Sequence, residues 1–182
     1  MNENTMNPSP SIEERARALR MIVCDVDGVL TDGSLFYGDQ GEEYKAFNSR
    51  DGHGIKMLRA SGVETGIITG RTSQVVLHRA RNLGIVHIFQ GAEDKLEAFR
   101  RLLASTGLEP FQIAYMGDDL VDLPVINRCG LAITVPDAPE EVKVRCQLVT
   151  RTGAGRGAAR EACELIMRAQ GTWATQLALY DR

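Results

Sequence analysis

An α/β fold with a parallel sheet covered on both faces by helices is what this sequence predicts. Two observations carry the prediction. Short apolar, β-branched runs alternate with amphipathic helical ones almost from end to end, as right-handed strand–helix–strand crossovers require. The chain has 182 residues, 43% of them apolar and 25% charged, enough for one domain with its own core.

The opening residues, MNENTMNPSP, read as a solvated, disordered leader through residue 11. A capped helix starts at Ser11, with Glu13 and Glu14 in its first turn. Residues 12–170 are expected to form a single domain, and 171–182 a tail carrying Trp173, Leu177, Leu179 and Tyr180. The expected strands are 21–24, 63–69, 85–90, 113–116, 131–135 and 147–149. Helical patterns occupy 55–60, 73–83, 94–103, 120–128, 139–144 and 158–169. One segment breaks the rhythm. Residues 34–48 hold two short aromatic-bearing runs joined through Gly38-Asp39-Gln40-Gly41, a β-hairpin signal directly after the first strand.

Composition excludes several functions. With 21 Lys+Arg against 24 Asp+Glu the net charge is −3, so no footprint exists for a nucleic acid or an anionic membrane surface. The longest charge-free stretch, 169–180, is too short for the ~20 apolar residues of a membrane span. The N-terminus lacks a secretory pattern. Cys24, Cys129, Cys146 and Cys163 are widely spaced, which favours a reduced cytoplasm over an exported disulfide framework. His53, His78 and His87 form no ligand pattern.

In an open parallel sheet, ligands bind at the carboxyl ends of the strands. Asp25-Val26-Asp27-Gly28 ends the first strand, and Gly117-Asp118-Asp119 with Asp122 ends the fourth. A calcium loop does not fit, because the Gly comes too early and Phe36 stands where a bidentate Glu is needed. One acid of the second cluster suits a helix N-cap. Two acidic clusters in one crevice would repel unless a cation joined them, and hard oxygen donors point to Mg2+. Thr69-Gly70-Arg71 offers a hydroxyl and backbone N–H groups at a strand-to-helix turn, an anion site. Lys95, at a helix start, opposes the helix dipole and so calls for an anionic neighbour. Gly153-Ala154-Gly155-Arg156-Gly157-Ala158 brushes against a dinucleotide fingerprint, but no chain remains for its partner strand, so a nucleotide cofactor is rejected.

In order and placement, Asp25-Val26-Asp27-Gly28, Thr69, Lys95 and Gly117-Asp118-Asp119-Leu120-Val121-Asp122 make the sequence resemble the haloacid dehalogenase-like phosphatases over about residues 20–150. The resemblance implies a Rossmann-like sheet, with Asp25 as nucleophile forming an aspartyl-phosphate and Asp27 as general acid, then base. Asp25, the Asp27 backbone carbonyl and Asp118 would hold Mg2+, and Thr69 and Lys95 would complete the phosphate clamp. Only 44 residues separate Asp25 from Thr69 and 26 separate Thr69 from Lys95, so no cap domain fits in either gap. A capless site stands open to water unless neighbouring subunits close it.

Within that superfamily the stretches FNSRDGHG (47–54), YMGDDLVDLPV (115–125) and GAGRGAAREAC (153–163) resemble the 3-deoxy-D-manno-octulosonate 8-phosphate phosphatase family. That family makes a sugar of lipopolysaccharide and is a homotetramer whose C-terminal tails reach neighbouring sites. The resemblance places sugar-phosphate contacts at Asp27, Asn48, Ser49, Arg50, Asp51, Gly52, Lys56, Gly70, Arg71, Arg79 and Lys95, with Arg156 a lid or substrate contact from a neighbour. Lys56 stands where Arg is expected, which weakens bidentate carboxylate binding there. Rival readings are a phosphatase for another nonulosonate, such as an acylneuraminate 9-phosphate, and a sugar-phosphate-binding module without turnover. A pure binder has no need of a nucleophile.

Overall fold

The computed structural model describes residues 10–181, so most of the expected leader lies outside the described residues. Helix α1 (Ile12–Ala18) is fixed by a capping box in which Ser11 Oγ accepts from the Glu14 N–H and the Glu14 carboxylate accepts from the Ser11 N–H. Strand β1 (Met21–Cys24) is buried throughout, as its uninterrupted apolar sequence requires. The main sheet adds β4 (Glu64–Ile68), β5 (His87–Phe89), β6 (Ile113–Met116), β7 (Leu131–Thr134) and β8 (Leu148–Val149). Every pairing is parallel and the spatial order is β5-β4-β1-β6-β7-β8. The order in which strands are added reverses between β1 and β6, which opens a crevice beyond their carboxyl ends. Phe36–Tyr37 (β2) and Glu43–Tyr44 (β3) form the expected antiparallel hairpin.

Helices α2 (Ser49–Ala60), α3 (Gln74–Leu83) and α7 (Ala158–Ala169) pack with α1 on one face of the sheet. Helices α4 (Lys95–Thr106) and α5 (Leu123–Ile126) cover the other, and α6 (Glu140–Lys143) links β7 to β8. The core runs from Leu19 and Met21 through Leu58, Ile68, Phe99, Tyr115 and Leu131 to Ile166. Among the described residues no helix is long and apolar enough to cross a membrane.

Three elements depart from the sequence expectation. Helix α2 begins at Ser49, six residues before the predicted start, because Asn48 caps it while Gly52 and Gly54 mask its helical pattern. Those glycines serve packing: a Cβ on Gly54 would lie 2.7 Å from Arg160 Cδ and 3.0 Å from its Cα. The expected 120–128 helix is a 3-10 turn at Leu120–Asp122 followed by the single turn of α5, with Pro124 at its start. The tail folds as α8 (Trp173–Ala178), with the Trp173 ring facing the Arg160 and Arg168 guanidinium carbons at 5.7 and 4.5 Å.

Candidate active site

Asp25 continues the ladder between β1 and β6 for one residue, donating its N–H to Met116 O at 2.9 Å, before the chain turns out of the sheet. The turn is tight: Val26 O accepts from the N–H groups of Val29, Leu30 and Thr31, and Gly28 adopts a φ of +84°. Only glycine fits there. A Cβ on Gly28 would stand 2.0 Å from Asp118 Oδ2, so the first and second acidic loops touch at a position with no side chain.

Asp122, completely buried, organises the second loop. Its Oδ2 accepts from the N–H groups of Asp118 (3.0 Å) and Asp119 (3.1 Å), and its Oδ1 accepts from the Tyr115 hydroxyl at 2.6 Å. Lys95, the first residue of α4, joins the loops. Its Nζ donates to Asp25 Oδ2 at 2.5 Å and to Asp122 Oδ1 at 2.6 Å, with the ammonium almost wholly buried. Burial opposes the Lys95 charge, but Asp25 and Asp122 outweigh it and raise the pKa above the ordinary lysine value. Asp25 is pushed up by desolvation and by Asp122, against the pull of Lys95.

Asp118 completes the cluster. One oxygen each from Asp25, Asp118 and Asp122 lies within 4.8 Å of the others. Asp118 Oδ1 is buried and has no hydrogen-bond partner, and desolvation together with Asp122 and Asp25 raises its pKa from 3.8 to about 7. An unpaired buried carboxylate oxygen beside two further carboxylates is a poor protein interior and a good hard-cation ligand set. The donors present therefore fit Mg2+.

The other expected residues divide. Thr69 is buried just beyond β4, its N–H on Phe89 O and its carbonyl accepting from Ala92 N, while Gly70 and Arg71 are exposed beside it. The Asp27 carboxylate meets Lys45 at Oδ1 and stands 3.9 Å from Arg71 Nε at Oδ2. Asn48 spends its side-chain oxygen on the Arg50 N–H as the cap of α2, and Ser49, Arg50 and Lys56 are exposed along that helix. Arg79 lies over the Phe47 ring and donates to Asn48 O at 3.2 Å, with buried Gly52 leaving room for its guanidinium. Arg156 is exposed at the rim of a cleft shared with Gly28, Asp32 and Asp118.

Asp51 carries a structural role that the sequence does not announce. It is 3% exposed, with Oδ1 accepting from Arg160 N at 2.8 Å and Oδ2 from Gly157 N at 3.2 Å. Gly157 has no side chain to cap α7, so Asp51 supplies the cap from α2. Both oxygens thereby hold the start of α7 against α2. Sequence reasoning also passed over Lys45 and Glu43. Their signal was period-two alternation, which puts Glu43 and Lys45 on one face of β3 and its extension while Tyr44 points outward, 61% exposed.

A parallel sheet whose strand order switches beneath four ordered acidic, hydroxyl and lysine positions defines a haloacid dehalogenase-like hydrolase, and the family model of that description matches residues 80–161. The curated 3-deoxy-D-manno-octulosonate 8-phosphate phosphatase KdsC of Yersinia pestis is 49% identical over 157 residues, 86% of this chain and 84% of that protein. This chain belongs to the 3-deoxy-D-manno-octulosonate 8-phosphate phosphatase family. The Moraxella catarrhalis phosphatase, solved in complex with a magnesium ion, a phosphate ion and a KDO molecule, is 41% identical with a TM-score of 0.91, covering 92% of this chain and 97% of that one. The cobalt-bound Haemophilus influenzae phosphatase is 39% identical with a TM-score of 0.86, over 90% of this chain and 99% of that one.

Proposed function

We propose that this chain is a Mg2+-dependent phosphomonoesterase that hydrolyses 3-deoxy-D-manno-octulosonate 8-phosphate to the free octulosonate and phosphate. The observation that carries the reading is the buried Asp25–Lys95–Asp122 chain beside the unpaired oxygen of Asp118. Family membership supplies the substrate class. Asp25 attacks phosphorus and forms an aspartyl-phosphate as the bond to the sugar oxygen breaks. Asp27 gives that oxygen its proton, then takes one from the water that attacks the intermediate and releases phosphate. Lys95 holds Asp25 and lends positive charge to the phosphoryl group, while Thr69 and the Gly70 and Arg71 turn offer donors to its oxygens. Asp25, the Asp27 backbone carbonyl and Asp118 would hold Mg2+, which would supply countercharge for the anionic nucleophile and phosphate. By family resemblance Asn48, Ser49, Arg50, Asp51, Gly52, Lys56 and Arg79 would contact the sugar and its carboxylate, with Arg156 a lid or substrate contact from a neighbour.

The functional unit is a homotetramer in the cytoplasm. Leu35, Phe36, Tyr37 and Tyr44 of the hairpin and Leu177, Leu179 and Tyr180 of the tail are exposed apolar surface that supports assembly. All four cysteines are free, as a reduced compartment would keep them.

The deciding experiment is a phosphate-release screen over sugar phosphates, including the octulosonate 8-phosphate and an acylneuraminate 9-phosphate, with Mg2+ and with chelator. The octulosonate ester should be preferred and chelator should abolish release. Preference for the acylneuraminate would shift the assignment to that nonulosonate, and no release from any ester would leave a binding module.

A further inference from the structure

The hairpin reaches the crevice through one side chain that the four motifs leave unused. Lys45 follows β3 directly, and its side chain is 1% exposed although the surrounding hairpin is open to solvent. Its ammonium donates to Asp27 Oδ1 and lies 3.2 Å from Glu43 Oε1. Around this pair, Arg71 Nε is 3.9 Å from Asp27 Oδ2 and 4.0 Å from Glu43 Oε1, and the Tyr37 hydroxyl meets the Arg71 guanidinium. Exposed ion pairs contribute little, but a buried ammonium between two carboxylates holds its geometry, because separating them strands a charge out of water.

That geometry acts on the residue proposed to move protons. The terminal torsion of an aspartate is broad and two-fold, so nothing within Asp27 decides which oxygen faces a leaving group. A donor fixed on Oδ1 does decide it. We propose that Lys45 is a positioning residue for phosphoryl transfer, holding the Asp27 carboxyl so that Oδ2 is the oxygen presented to the sugar oxygen. The proposal rests on the functional reading above. As the P–O bond breaks, the proton on Asp27 Oδ2 passes to the departing sugar oxygen, leaving Asp27 as the carboxylate paired with Lys45. The hairpin is thus part of the catalytic geometry as well as an association surface.

The test compares two leaving groups. A sugar alkoxide needs a proton to depart, whereas the phenolate of p-nitrophenyl phosphate leaves without one. General acid–base catalysis contributes about 10²–10⁴-fold, so Lys45→Met should lower kcat on the octulosonate 8-phosphate about 10–100-fold with KM within about threefold. Loss on p-nitrophenyl phosphate should be at least tenfold smaller, and Lys45→Arg, which keeps a charged donor, should recover most of the sugar-phosphate rate. Equal losses on the two esters, a loss carried in KM, or an unaltered Lys45→Met enzyme overturns the proposal. Thermal melts check folding, and if Lys45→Met does not fold, Lys45→Gln against Lys45→Arg is read by the same criteria. Failure of the wild-type protein to release phosphate from the octulosonate ester would instead overturn the functional reading.

Discussion

Each carboxylate in the crevice has its own partner set, and the differences define what each can do. Asp25 is held on both oxygens, Oδ1 by the Val26 N–H and Oδ2 by Lys95, so its attack trajectory is fixed before substrate arrives. Asp25→Asn keeps the shape and removes the nucleophile; turnover should fall at least about 10³-fold with little change in melting temperature, and a variant near wild-type rate would remove Asp25 from that role. Asp118 differs because its Oδ1 is unpaired and its pKa is raised from 3.8 to about 7 by desolvation, Asp122 and Asp25. A carboxyl whose pKa is higher folded than unfolded favours folding while protonated, so this contribution is complete below about pH 4 and is lost as pH rises through 7. Metal and proton compete for the same oxygens. The metal-free protein should therefore lose stability between about pH 4 and 7, and Mg2+ should restore it most strongly above pH 7. Melting curves with Mg2+ and with chelator across that range check the sign. Asp118→Asn should abolish the Mg2+ response, and a retained response would exclude Asp118 as a ligand.

At the level of elements, joints between them matter more than the elements themselves. The α2–α7 contact is pinned by Asp51, whose removal strands two backbone N–H groups at the start of α7. Asp51→Ala should cost about 2 kcal/mol of stability, in the usual 1–3 kcal/mol range for buried unsatisfied donors, with Asp51→Asn milder. Equal stability of wild type and Asp51→Ala in urea titrations would remove that joint. The same joint shows where the sequence stops being legible. Parallel strands such as Met21–Cys24 and Ile113–Met116 announce themselves because both faces are buried and every residue is apolar. The acids, Thr69 and Lys95 were legible as a set because each follows a strand. Helix α2 was half hidden because Gly52 and Gly54 are poor helix formers selected by Arg79 and Arg160, residues remote in sequence. Asp51 and Lys45 were obscured for the same reason. Their partners lie across tertiary contacts that no local pattern encodes.

On the scale of the whole molecule, the missing cap and the apolar surfaces belong together. The hairpin aromatics are outside the core, and α8 is docked on α7 through Trp173 while Tyr180 sits edge-on to His53 with ring centroids 5.2 Å apart. Sedimentation should find a tetramer, and a chain ending at Gly171 should keep a cooperative core melt yet turn over or exchange product more slowly. Unchanged kinetics in that shortened chain would separate the tail from catalysis. The Asp51 joint also has a consequence in time. Its partners lie 106 and 109 residues further along the chain, so the segment bearing Asn48 and Arg50 is anchored only after α7 has been synthesised. Nascent chains that already carry Asp25, Lys95 and Asp118 would still lack a fixed start to α2. Order in the first turn of α2 is thus set by a helix whose start lies 106 residues later, so the two ends of that joint are acquired together in folding.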